Sequence, residues 1–127
     1  MSRCVLMGCL AIAAGSDAGA AAAGDRDGDG AQIYAAHCIQ CHSPGMTGGV
    51  GPALKGKDFV AKWDGKRARQ LYSRILMTMP ANNPGSLSTS EVLALVRFIA
   101  QQNALAKLGP PLKSPNELND ITLRGKH

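Results

Sequence analysis

The sequence predicts a small all-α protein whose core is completed by something other than its own side chains. The 127 residues suit a single domain, and a domain of this size has a limited core. Apolar residues recur at helical spacing in the second half of the chain, and no alternating Val/Ile-rich strand precedes Cys38. Aromatic residues make up only 4% of the chain, which leaves few large side chains to fill a core.

The first 20 residues have the organisation of an export signal. Arg3 gives a positive start, an uncharged apolar run follows over 5–15, and small residues offer cleavage after position 20 or as late as 23. The apolar run has about 11 residues, against the roughly 20 that a membrane-spanning helix needs. We therefore predict a signal peptide over 1–20, a flexible segment over 21–29, and an exported mature protein without a stable membrane span.

The stretch HCIQCH, residues 37–42, carries the chemistry. Two exported cysteines three positions apart could close only a small local disulfide ring. A zinc site would need more Cys or His at ligand spacing, and a thioredoxin-like pair would follow a strand. Cys-x-x-Cys-His instead attaches haem: Cys38 and Cys41 form thioethers with its vinyl groups, and His42 binds the iron. We predict one covalent haem c here.

Helices are expected on both sides of this motif. One is predicted from Gly30 to Cys41, and the segment 58–76 is predicted to be helical in its second half. Another is predicted from Ser88 to about Gln102, because a Ser-x-x-Glu capping box opens it and a broad apolar face follows.

With these features the chain resembles the class I mono-haem cytochromes c. The resemblance covers residues 30–103 and implies a cytochrome c fold of three to five helices around the haem. It also implies that the first and last helices cross through Gly30, Tyr34, Leu95 and Phe98. A small residue at such a crossing lets two helices approach closely.

The resemblance further implies the second axial ligand of the iron. In the family a methionine followed by proline supplies this ligand, and Met79 precedes Pro80. The proline fixes φ beside the ligand and helps to hold a weak thioether bond in place. Met77 is an alternative ligand, and core packing is an ordinary use of any methionine.

Two more residues are implied to lie near the haem. Pro52, within a Gly-Pro-x-Leu sequence, matches a residue whose carbonyl accepts the outer ring proton of the axial histidine, although a simple turn is another interpretation. Trp63 matches an indole near the haem propionates, where its N–H could donate. Packing alone explains a buried Trp equally well.

Positive charge is concentrated in one stretch of a chain whose net charge is +5. A one-sided positive field steers encounters with an acidic docking surface and makes them salt-sensitive, although a solvated helix face is the simpler interpretation. Nucleic acid is not an expected partner of an exported chain without interleaved aromatic residues. The basic residues of the stretch are Lys55, Lys57, Lys62, Lys66, Arg67, Arg69 and Arg74, against Asp58 and Asp64.

Residues 104–127 are Pro-rich and polar, and we predict an extended tail there instead of a further domain. Similar tails occur on cytochromes that serve, or are fused to, periplasmic quinoprotein dehydrogenases. The resemblance therefore extends to this class of partner.

Together these features predict a periplasmic electron-transfer protein and not an enzyme. With His42 and Met79 both on the iron, no open coordination site remains, so single-electron transfer is expected. Met/His ligation raises the reduction potential of the haem relative to His/His ligation. Such a potential suits a protein that accepts electrons from a dehydrogenase and donates them to a terminal oxidase or another cytochrome. The alternative function is that of a haem enzyme or a gas-binding haem protein with a labile sixth ligand.

Overall fold

Five α-helices and one short 3-10 helix follow one another in the computed structural model, which describes residues 26–126. The predicted signal peptide and its cleavage sites lie outside the described residues. Over 26–126 there is no strand; one antiparallel bridge pairs Arg67 with Thr122. None of the helices described is long and apolar enough to cross a membrane. The predicted all-α class is confirmed. The helices are α1 (Arg26–His37), α2 (Ile39–His42), α3 (Lys57–Trp63), α4 (Ala68–Thr78), α5 (Thr89–Gln102) and the 3-10 helix Pro115–Asn119.

The first helix differs from its prediction at both ends. It begins at Arg26 instead of Gly30, within the segment predicted to be flexible, and it ends at His37. Cys38 is a turn residue with φ −119° and ψ −30°, and α2 starts directly after it. The main chain remains hydrogen-bonded across the break, because the Cys38 N–H donates to Tyr34 O at 2.9 Å and the His42 N–H donates to Cys38 O at 2.9 Å. Apolar periodicity did not reveal this break.

The predicted crossing of the first and last helices is confirmed. A Cβ atom on Gly30 would lie 2.6 Å from Ala94 O and 2.7 Å from Phe98 Cβ, so only glycine permits this approach of α1 to α5. The rings of Tyr34 and Phe98 pack with their centroids 5.7 Å apart, and Leu95 is fully buried. This crossing fixes the direction of α1, which leads directly into Cys38 and α2.

The capping box of α5 is present as predicted. The Glu91 N–H donates to Ser88 Oγ at 3.2 Å, and the Ser88 N–H donates to Glu91 Oε2 at 2.7 Å. Such a cap stabilises a helix by about 1 kcal/mol. The apolar face of α5 forms the centre of the core, with Val92, Leu93, Leu95, Val96 and Ile99 all buried.

The segment 58–76 is helical in both halves, whereas only its second half was predicted. Gly65, with φ 77°, separates α3 from α4. Leu71 and Ile75 are buried on the inner side of α4, and Leu76 packs against the core from its edge. Because the segment forms two short helices on either side of Gly65, its apolar residues do not follow one continuous helical period.

The C-terminal segment, residues 104–126, is largely non-helical but is packed onto the domain. Three main-chain hydrogen bonds of 2.8 Å join it to residues 65–68: Gly65 N–H to Leu123 O, Leu123 N–H to Lys66 O, and Ala68 N–H to Ile121 O. Its leucines at 105, 108, 118 and 123 are buried in the same core as the helices. The segment predicted as an extended tail therefore supplies part of the core.

Candidate haem-attachment site

The two cysteines and the histidine of the motif lie together at the junction of α1 and α2. Cys38 is half-buried and Cys41 is exposed, and both are free cysteines. His42 is buried, with 6% of its surface exposed. In the part of the chain that the structure describes, no group of three or more His, Cys, Asp or Glu side chains is placed to hold a metal ion by itself.

Cys38 lacks the properties of a redox-active thiol. Burial raises the pKa of Cys38 to about 11, and the charge of Cys41 adds to this shift. The Cys38 thiol is therefore protonated near neutral pH, whereas disulfide oxidoreductases use a thiolate of lowered pKa. This state argues against a thioredoxin-like pair.

The imidazole of His42 is held in one orientation and one tautomer. Its Nδ1 lies 2.6 Å from the carbonyl oxygen of Pro52, which is the contact that the resemblance implied. A carbonyl oxygen can only accept, so Nδ1 carries the proton and donates. With Nδ1 protonated, the neutral imidazole has its lone pair on Nε2, and this is the form that binds a metal.

The loop that supplies Pro52 is fitted closely around the histidine. A Cβ atom on Gly51 would lie 2.8 Å from Cε1 and 3.0 Å from Nδ1 of the His42 ring, so a side chain at 51 would displace the imidazole. The Gly51 N–H donates to Cys41 O at 2.8 Å, and the Gly48 N–H donates to His42 O at 3.0 Å. Sequence reasoning did not identify Gly51 as a site residue; its place directly before Pro52 was the available signal.

This loop also contains backbone strain. Ser43 and Met46 have φ values of 67° and 61°, although neither is glycine. Residues held in such sparsely populated regions cost roughly 1–3 kcal/mol each and persist only where neighbouring contacts enforce them. The strain begins at the residue that directly follows His42.

The two candidate methionine ligands have different surroundings. Met79 caps the C-terminus of α4, where its N–H donates to Ile75 O at 2.9 Å, and its half-buried side chain packs against the core. Met77 is 72% exposed. Among residues 26–126, the hydrogen bonds that hold His42 and its loop involve neither Met79 nor Trp63. Met79 lies at the end of α4, and Trp63 is the last residue of α3.

Trp63 is a core residue with a cationic edge. It is buried, packs against Phe59 with ring centroids 6.1 Å apart, and has the Lys66 Nζ 5.2 Å from its ring centroid. A cation over an indole at an exposed edge contributes about 0.5–1 kcal/mol. These contacts fit the packing interpretation, and a contact with haem propionates stays a prediction.

Two free thiols one helical turn apart, followed by an imidazole with Nε2 available, are the donor set of a c-type haem site on an all-α fold. The family described as cytochrome c oxidase, cbb3-type, subunit III matches residues 25–99, and the chain belongs to this family. Its cofactor is haem c with its iron, bound covalently through Cys38 and Cys41. The described residues fit a haem, because both thiols are free and the His42 imidazole lies on the adjacent turn.

The structure is also similar to a chain of the sulfane dehydrogenase SoxCD from Paracoccus pantotrophus. The TM-score is 0.58 at 20% sequence identity, and the match covers 79% of this chain and 53% of that chain. The present chain thus spans about half the length of that relative. At this level of identity the likeness shows a shared fold. No curated protein sequence matches the chain.

Proposed function

We propose that the mature protein is a class I mono-haem cytochrome c that carries single electrons in the periplasm, with His42 and Met79 as the axial ligands of the iron. Membership of the cytochrome c family supports haem-based electron transfer. The observation that carries the finer proposal is the hydrogen bond from His42 Nδ1 to Pro52 O, which leaves Nε2 available for the iron.

The protein's residues would tune and protect the one-electron iron couple that the bound haem supplies. Donation of the Nδ1 proton to Pro52 O increases the basicity of the His42 imidazole and fixes its ring plane. His42 is buried, so the ring that would hold the iron is shielded from water. Two protein ligands on the iron would leave no position for a substrate, so we propose a carrier without enzymatic activity of its own.

The contrast between the two methionines supports Met79 as the second ligand. Met79 packs against the core at the end of α4, whereas most of the Met77 side chain faces solvent. A thioether is a weak ligand and needs a protected, fixed position. Pro80 restricts the backbone directly after Met79 and so limits the movement of the proposed ligand.

The basic residues of the 55–74 stretch suit an acidic docking surface on a redox partner. Lys66 and Arg74 line a surface cavity of about 400 Å³ beside Trp63 and Met77, and no acidic side chain lines it. The C-terminal segment adds Arg124 and Lys126 next to Asp64, because the Gly125 N–H between them donates to Asp64 Oδ1 at 2.8 Å. A one-sided positive surface of this kind accelerates association with an acidic partner.

We propose a dehydrogenase, including the quinoprotein class, as electron donor. We propose a terminal oxidase or another cytochrome as acceptor. The potential expected of Met/His ligation supports this order, and the family description names an oxidase subunit. The predicted signal peptide over 1–20 is the basis for a periplasmic location.

Carbon monoxide tests the carrier proposal against the gas-binding alternative. The reduced wild-type protein should bind carbon monoxide slowly at neutral pH, because Met79 occupies the sixth position. Met79→Ala should bind it rapidly, and the matched variant Met77→Ala should behave as the wild type. Rapid binding by the wild type in stopped-flow absorption would favour the haem enzyme or gas-binding protein instead.

A further inference from the structure

We propose that the Tyr34 hydroxyl is a positioning group for His42, which acts by fixing the carbonyl of Ser43 at the start of the loop that orients the imidazole. This inference rests on the proposed function, in which His42 is an axial ligand. Tyr34 lies on α1, before the cysteines, and does not itself touch the imidazole through a hydrogen bond.

The contact between Tyr34 and Ser43 is short and partly buried. The Tyr34 hydroxyl donates to Ser43 O at 2.7 Å, and only 3% of the tyrosine surface is exposed. Burial raises the pKa of Tyr34 to about 12, with a smaller contribution from the charge of Cys38, so the hydroxyl keeps its proton and remains a donor. Loss of a hydrogen bond of this kind typically changes an opening equilibrium by about three- to tenfold.

The backbone conformation of Ser43 is strained, so a hydrogen bond to its carbonyl helps to hold it in place. Ser43 directly follows His42 and holds φ 67° and ψ 157°, a conformation that L residues rarely adopt. Its carbonyl accepts from Tyr34 and also from the Met46 N–H at 3.1 Å, while its Oγ accepts from the Thr47 N–H at 3.0 Å. A strained residue persists only where several contacts hold it. From outside the loop, the Ser43 N–H donates to Ile39 O of α2 at 2.9 Å, and Tyr34 is the side chain that holds the Ser43 carbonyl.

The loop transmits this constraint to the imidazole. From Ser43 it turns back so that the Gly48 N–H binds His42 O and the Gly51 N–H binds Cys41 O. Pro52 O then meets His42 Nδ1. The loop is anchored at its start by Tyr34 and ends at the acceptor of the ring proton, so a looser start should loosen the Nδ1–H···O bond.

The tyrosine is itself held rigidly, because its ring packs against Phe98 of α5 with centroids 5.7 Å apart. The helix crossing and the hydroxyl can therefore be separated by mutation. Tyr34→Phe keeps the ring and removes the donor. Phe98→Leu loosens the ring contact and keeps the donor.

The experiment uses the reduced, diamagnetic holoprotein and measures solvent exchange of the His42 Nδ1 proton by NMR, together with the reduction potential. Tyr34→Phe should exchange this proton about three- to tenfold faster, as loss of one partly buried hydrogen bond implies. It should also raise the potential, because a weaker Nδ1–H···O bond makes the imidazole a poorer donor to ferric iron.

Two control variants isolate the hydroxyl. Tyr72→Phe removes the other tyrosine hydroxyl of the chain and should leave exchange and potential at their wild-type values. Phe98→Leu should lower the melting temperature of the holoprotein at least as much as Tyr34→Phe does, while changing exchange and potential clearly less, because the hydroxyl donor is retained.

Three results would overturn the inference. Wild-type exchange and potential in Tyr34→Phe, with a lowered melting temperature, would show that Tyr34 only packs. An equal change in Phe98→Leu would show a general effect of stability. Absence of a haem-shifted His42 signal in the wild type would instead contradict the proposed ligation, and this inference with it.

Discussion

The two proposed ligands of the iron are supported in different ways. The loop around His42 is held by hydrogen bonds from four directions: Tyr34 to Ser43, Gly48 to His42 O, Gly51 to Cys41 O, and His42 Nδ1 to Pro52. Met79 is held by one main-chain bond to Ile75 and by packing at the core edge. The difference implies a rigid histidine side and a softer methionine side, so ligand exchange should occur at Met79 first.

The largest expected effect removes the anchor of the histidine side. Cys38→Ala combined with Cys41→Ala should abolish covalent haem attachment, because residues 26–126 contain no other cysteine. Haem staining after denaturing electrophoresis measures this. His37→Ala changes an exposed neighbour of the motif and should keep the stain. A stained band from the double variant would refute the attachment site.

The next largest effect is expected from weakening the packing of the 3-10 helix against α4. Leu118 is fully buried in the 3-10 helix that packs on α4, the helix that ends at Met79. Leu118→Ala should lower the free energy of unfolding of the holoprotein by about 2–5 kcal/mol. Leu112→Ala, at a half-buried position of the same segment, should cost clearly less.

In thermal denaturation, Leu118→Ala should lose Met79 ligation at a lower temperature than global unfolding. Coincident loss of the sulfur–iron band and of helical circular dichroism would show that the two sides are equally rigid.

A smaller effect tests how tightly the loop fits His42. Gly51→Ala should cost about 1–3 kcal/mol and disturb the imidazole, because the added Cβ would meet the ring. Gly45→Ala lies in the same loop but would place its Cβ 3.8 Å from the Thr47 side chain, so it should be nearly neutral. Chemical denaturation and the reduction potential of both variants measure the contrast. Equal stability and potential in the two variants would mean that the loop adapts freely.

The smallest expected effect is electrostatic. Lys66→Glu with Arg74→Glu should slow oxidation of the reduced protein by ferricyanide about three- to tenfold at low ionic strength, and the difference should vanish at high salt. Lys107→Glu with Lys113→Glu makes the same change in net charge on the C-terminal segment. If both pairs slow the reaction equally, the position of the charge has no part in docking.

Much of the histidine side could be predicted from the sequence, because its determinants are local. The order of two cysteines and a histidine acts over a short separation, as does the Ser-x-x-Glu cap of α5 elsewhere in the chain. The contact of His42 with Pro52, ten residues later, was implied by the resemblance. The helix crossing through Gly30 and Phe98 was found only by resemblance, since the two residues lie far apart in the chain.

The rest depends on contacts that a linear pattern does not contain. The break at Cys38 and the fit of Gly51 against His42 become visible only when the loop is closed. The burial of residues 104–126 follows from pairing with residues 65–68, and its leucines have no regular spacing to signal it. Polar composition alone therefore suggested a tail.

The most direct test of the central claim, that His42 and Met79 are the axial ligands, is the absorption of the oxidised protein near ~695 nm, where the sulfur–iron bond gives a weak charge-transfer band. The wild type should show this band. Met79→Ala should lose it and have a lower potential, whereas Met77→Ala should keep both. If Met77→Ala lost the band and Met79→Ala kept it, Met77 and not Met79 would be the axial ligand. Absence of the band in the wild type would contradict His/Met ligation itself.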